Sequence, residues 1–244
     1  MEHRNFQLDT EWNIVHYPDQ PIGFGILIIG DERSYVEKDG NFWTQNEEKQ
    51  KFISQLKNEG YTAFYSNLYR KNWGSSRAVK LAKQLYEFII RTEILNGKIH
   101  LFAEGMGALV ALKLLNECKN HIRSVVLVNP ILSLKHQLTH EKEHKFFYKK
   151  MLKEIAIAYG LDAKEVEDYV FNLEEPTLPS GIPIKIIHIL SGKRAFKQSL
   201  ILKELIVKWE QEEKTVSVCY ILPEKKSQLS HKSIRFFKGN QEKL

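Results

Sequence analysis

Cysteine is scarce in this 244-residue chain: it has two, Cys118 and Cys219, each inside an apolar segment. Two thiols cannot build a disulfide framework, and with no CxxC pair or His/Cys cluster there is no zinc-ligand spacing. Glycine (13) and proline (7) are too few for a fibrous or low-complexity chain. No apolar run approaches the roughly 18–20 residues that a membrane-spanning helix needs. The opening Met1-Glu2-His3-Arg4-Asn5 lacks the basic start and apolar run of a signal peptide. The expectation is a cytoplasmic chain with two free thiols. No glycine-rich phosphate loop follows a strand, because Gly23-Phe24-Gly25 precedes one. Neither a cofactor nor a metal is expected: Asp31 and Glu32 lack a third ligand, and His140 and His144 stand alone at their spacing.

The net charge of +6 does not gather into a nucleic-acid surface. Basic residues alternate with acidic ones, as in Glu141-Lys142-Glu143 and Lys203-Glu204, and the uninterrupted basic runs noted are doublets such as Lys149-Lys150. Neither nucleic acid nor membrane is expected as a partner. What the chain has is core-forming material: 43% of it is apolar and 11% aromatic.

Two kinds of segment alternate. Short apolar runs rich in β-branched residues lie at 13–17, 24–29, 62–65, 99–102, 125–128, 184–189 and 216–221, as strands buried on both faces would. Between them come helical stripes. Val79, Ala82, Leu85, Tyr86, Ile89 and Ile90 form one, with Ser75 or Ser76 as its cap; Phe52, Ile53 and Leu56 form another. A third runs from about Met106 to Cys118, and a fourth carries Leu200, Leu202, Leu205, Ile206 and Trp209. This order calls for an α/β class chain with a doubly wound, mostly parallel sheet. Two amphipathic helices with no strand between them interrupt the alternation. Residues 1–244 are read as one domain, with a short helical lid inserted at about 135–180.

One turn is distinctive. In Ile99-His100-Leu101-Phe102-Ala103-Glu104-Gly105-Met106-Gly107-Ala108 a strand ends and a helix begins at once. Small residues at Ala103, Gly107 and Ala108 suit a tight strand-to-helix bend, the geometry of the G-x-S-x-G nucleophile elbow. Here the chain resembles the α/β-hydrolase family. The likeness extends to Ile26–Gly30, which is similar to the strand leading into that family's oxyanion loop. It also extends to Gly60-Tyr61-Thr62 before a strand, and to 69–76 after it.

The resemblance implies a nucleophile at position 105, where this chain has Gly105, with no atom able to attack a carbonyl. Glycine enters the strained backbone of such a turn freely, removing strain of about 1–3 kcal/mol. The family's acid, placed after the strand at 125–128 or at 184–189, is also missing: Asn129-Pro130 and Leu190-Ser191-Gly192-Lys193-Arg194 follow instead. His231 stands roughly where the family's base belongs. These departures imply a hydrolase-like protein without its nucleophile and acid. Its crevice would bind a small apolar or anionic ligand through Gly30, Asp31, Glu104, Met106, Lys193 and Arg194, with the Met106 N–H open to an anion. Two alternatives stay open. One is a serine-independent hydrolase of carboxylic esters or similar bonds, using water activated by His231 or Glu104. The other is a scaffold or regulatory protein whose helices over 140–172 meet a protein partner.

Overall fold

The computed structural model describes residues 2–174 and 177–241, with backbone alone over 192–198. Eight strands form one sheet among these residues: β1 (His3–Leu8), β2 (Glu11–His16), β3 (Gly25–Ile29), β4 (Thr62–Ser66), β5 (Ile99–Glu104), β6 (Ile122–Val128), β7 (Ile184–Ile189) and β8 (Val216–Ile221). Their order is β1-β2-β4-β3-β5-β6-β7-β8. The β1/β2 and β2/β4 pairs are antiparallel, and from β4 onward every pair is parallel.

Alternation along the strands sends successive side chains to opposite faces. Leu27, Ile29, Leu101, Ala103, Val125 and Leu127 face one side, where helices α3 (Ser76–Thr92), α4 (Gly107–Glu117) and α8 (Gly192–Gln211) cover them. Ile26, Ile28, Phe102, Val126 and Val128 face the other, under helices α1 (Phe42–Gln45), α2 (Glu47–Asn58) and α9 (Gln228–Gly239). Parallel strands covered on both faces must be apolar throughout, which is why β3 to β8 were all readable as continuous runs.

Between β6 and β7 stand α5 (Leu134–Glu141), α6 (Lys145–Tyr159) and α7 (Val166–Phe171), three helices where the sequence suggests two. They share a third cluster with Trp73, Met106 and Leu109, beside the β5–α4 turn. The strand β1 and the helix α9 also went unread. Within β1 the apolar side chains are Phe6 and Leu8, and Phe6 finds its partner far along the chain, stacked on Phe88 at 4.6 Å. Among the described residues no helix is long and apolar enough to cross a membrane.

Two histidines are walled into the sheet. The Tyr65 hydroxyl donates to Asn41 Oδ1 at 2.7 Å, so it accepts from His16 Nε2 at 2.9 Å. His100 sets Nδ1 2.8 Å from Ser124 Oγ, and its ring packs against Phe237 at 4.9 Å. Burial pulls both imidazoles from an ordinary 6.5 down to about 3. Both are neutral in the folded chain, whereas the unfolded chain takes up protons near pH 6.5. Their contribution is therefore intact above that pH and is lost as pH falls toward 3, at about 1.4 kcal/mol per unit for each histidine. Denaturant unfolding is expected to show a loss of about 3 kcal/mol between pH 6.5 and 5 from this pair, the slope reaching its full value only below the unfolded pKa. His100→Asn, which retains a partner for Ser124, should remove about half of that slope; an unchanged slope would contradict the assignment.

Candidate functional site

The β5–α4 turn is built on close approach. Gly105 has φ +49°, a left-handed conformation in which glycine carries no Cβ penalty. Its N–H donates to the Val128 carbonyl at 3.0 Å, and its carbonyl accepts from Ile131 N–H at 2.9 Å, fixing the turn to the end of β6 and the segment after it. At Gly107 a Cβ would lie 2.5 Å from the Ile29 carbonyl oxygen and 2.6 Å from that of Gly30. The first turn of α4 is thereby pressed against the end of β3.

Asp31 follows that strand. Its Oδ1 accepts the Met106 N–H at 2.9 Å, so a carboxylate sits at the N-terminus of α4. Free N–H groups and the positive end of the helix dipole both favour a negative charge there. The same carboxylate occupies the space a side chain at 105 would need: a Cβ there would lie 2.2 Å from Oδ1 and 2.3 Å from Cγ. The Met106 N–H, expected to be open to an anion, is thus already engaged by the protein's own acid.

Glu104, the last residue of β5, is 8% exposed and forms an ion pair with Lys49 of α2. The Lys49 ammonium also lies 4.8 Å from the centroid of the Trp43 ring. A carboxylate this deep needs such a partner, because an unpaired buried charge is strongly destabilising. The ends of β6 and β7 are joined by Asn129, whose Oδ1 accepts the Ile189 N–H at 2.7 Å.

These groups surround a crevice of about 290 Å³ at the carboxyl ends of the strands. Asp31, Glu104 and Gly105 line it together with Asn129, Ser191 and Lys226. Lys226 is itself paired with Glu48. Where β6 and β7 end, the described lining offers an amide and a hydroxyl and no carboxylate. No group of three or more His, Cys, Asp or Glu among the described residues is placed to hold a metal ion.

No protein-family model matches the sequence, and no curated protein matches it. Solved structures do match. The uncomplexed acylaminoacyl peptidase of Pyrococcus horikoshii is similar with TM-score 0.70 and 13% identity, over 99% of this chain and 42% of the peptidase. The highly thermostable carboxyl esterase of Bacillus coagulans gives TM-score 0.61 and 10% identity, over 98% of this chain and 99% of the esterase. The chain has the α/β-hydrolase fold. A third neighbour with this fold, the S-formylglutathione hydrolase of Staphylococcus aureus, gives TM-score 0.62 and 10% identity over 96% of each chain. The chain spans less than half the length of the peptidase.

Within the α/β-hydrolase fold, the structure gathers Asp31, Glu104 and Gly105 around one crevice, with Gly30 and Met106 immediately adjoining. It does not bring His231 there. The inward stripe of α9 is Ser233, Ile234 and Phe237, which leaves His231 exposed, while Lys226 and Leu229 from the same segment line the crevice. Lys193 and Arg194 fall in the first turn of α8, and their side chains lie outside the described residues. Lys49, Asn129, Ser191 and Lys226 were missed. Nothing local marks them, since each is a polar residue at the tip of an element that the sheet brings together.

A double-mutant cycle tests the shared space of Asp31 and Gly105. Gly105→Ala should cost about 2 kcal/mol, from the left-handed backbone and from expelling the carboxylate from the Met106 N–H. In an Asp31→Ala background, where that hydrogen bond is already absent, it should cost about 1 kcal/mol. Strict additivity in denaturant melts would show that the two positions do not compete.

Proposed function

We propose that this chain is a hydrolase-like protein without hydrolytic activity that binds a small molecule in the crevice beside Gly105. One observation carries the reading. At the strand-to-helix turn where the fold's enzymes place a nucleophile, there is no side chain, and the Asp31 carboxylate fills its space while accepting the Met106 N–H. A substrate carbonyl would meet neither an attacking atom nor a free donor at that N–H, and acyl transfer needs both. The names of the structural neighbours describe a peptidase, an esterase and a hydrolase. Carried to this chain, that chemistry lacks its nucleophile; His231 is exposed, Glu104 is tied to Lys49, and the carboxylate that does adjoin Gly105, Asp31, is held by the Met106 N–H.

The crevice keeps features of a binding site. It is concave and set at the strands' carboxyl ends, and its polar groups are held by partners of their own. With Met106 engaged, a ligand that suits it presents hydrogen-bond donors to the outer oxygen of Asp31 in place of a negative charge. Helices α5 to α7, seated on Met106 and Leu109, serve as its cover in this reading.

Turnover of short aryl esters tests the proposal. The wild type is expected to show no rate above a heat-denatured control. Gly105→Ser is expected to add at most a trace, because its side chain would contend with the Asp31 carboxylate for space and no oriented imidazole adjoins it. Saturable wild-type turnover that disappears in Glu104→Gln would overturn the reading in favour of a water-activating hydrolase.

A further inference from the structure

A second cavity, of about 510 Å³, lies beside the first turn of α3. Its wall includes Glu32, Arg33, Ser75, Arg77 and the outer face of α6. Ser75 is the N-cap of this 17-residue helix, yet its side chain caps nothing. It is 2% exposed, and its Oγ has no hydrogen-bond partner. An N-cap serine ordinarily accepts an N–H of the first turn, and a buried hydroxyl left without a partner costs free energy. The N–H groups of Ser76 and Arg77, at the first two helical positions, have no preceding carbonyl to meet within the helix.

Two guanidinium groups line the same space without a carboxylate in ion-pair distance among the described residues. One is Arg33. The other is Arg77, whose guanidinium lies 3.6 Å from the centroid of the Tyr69 ring. Their neighbours are already neutralised, Arg70 by Glu37 and Lys71 by Glu154. Glu32 adds one negative charge to the wall, against two unpaired positive ones. Gly74 brings the cap this deep: a Cβ there would lie 2.6 Å from Leu109 Cβ, so the loop before α3 sits directly on α4.

We propose that this cavity binds the phosphoryl group of a small phosphate monoester. The Ser75 hydroxyl and the first-turn N–H groups of α3 donate to its oxygens, and Arg77 and Arg33 close around them as planar forks. Tyr69 and Ile157 supply apolar wall for the organic part. The site is distinct from the crevice at Gly105 and stands whether or not that crevice binds anything.

Calorimetric titration of the full chain with inorganic phosphate and with phenyl phosphate, at constant ionic strength, tests it. Both are expected to bind one to one in the millimolar range or tighter, phenyl phosphate at least as tightly as phosphate. Ser75→Ala and Arg77→Gln should each weaken binding about tenfold, whereas Asp31→Asn in the other crevice should not. Without phosphate, Ser75→Ala should melt no lower than wild type, since its Oγ makes no bond to lose; this keeps a binding loss separate from a folding defect. Absence of saturable binding by either probe would overturn the proposal, as would binding that both variants leave intact.

Discussion

The N-terminus of α4 opens into a crevice, and its N–H groups need an acceptor. Asp31 supplies one across 75 residues of sequence, and much of the local architecture follows from that bond. It requires β3 to run beside β5, which the parallel register of Ile29 with Ala103 provides. It requires α4 to start close to the end of β3, which the missing Cβ of Gly107 permits. It requires position 105 to be bare, because the carboxylate takes that room. Here an internal anion satisfies the donor.

The fold was legible to the degree that burial repeats along the sequence. Strands covered on both faces show as apolar runs, and α3 shows a full stripe from Val79 to Ile90 because one of its sides packs against the sheet. The strand β1 buries little, so its polar sequence carries a weak signal, and the partner that holds it, Phe88 against Phe6, is remote; α9 does carry a short stripe, Ile234 and Phe237, set among so many polar residues that it went unread. The site divides in the same way. Gly105, Glu104 and Met106 are adjacent in sequence on a patterned turn, and Asp31 follows a readable strand. That Asp31 would reach the Met106 N–H, or that Lys49 would pair with Glu104 from 55 residues away, depends on tertiary placement that no local pattern encodes. His231 shows the converse failure: its place after the last strand suggested a base, but α9 leaves it exposed.

A short turn divides the two cavities. Asp31 accepts the Ser34 N–H through its backbone carbonyl at 2.8 Å, closing the chain on itself just after β3. Asp31 faces the crevice at Gly105, while Glu32, Arg33 and Ser34 line the cavity at the head of α3. Ser34 packs tightly on Gly30, where a Cβ would overlap its side chain, so the turn has little freedom to shift toward either side. Over four residues the chain thus sends Asp31 to one helix terminus and both Glu32 and Arg33 to the other.

The competition between Asp31 and a side chain at 105 also couples the two positions. A Cβ at 105 would overlap the carboxylate, so any side chain placed there must displace the acceptor of the Met106 N–H. Glycine at one position and aspartate at the other are thus mutually permissive, and a change at either alters what the other tolerates.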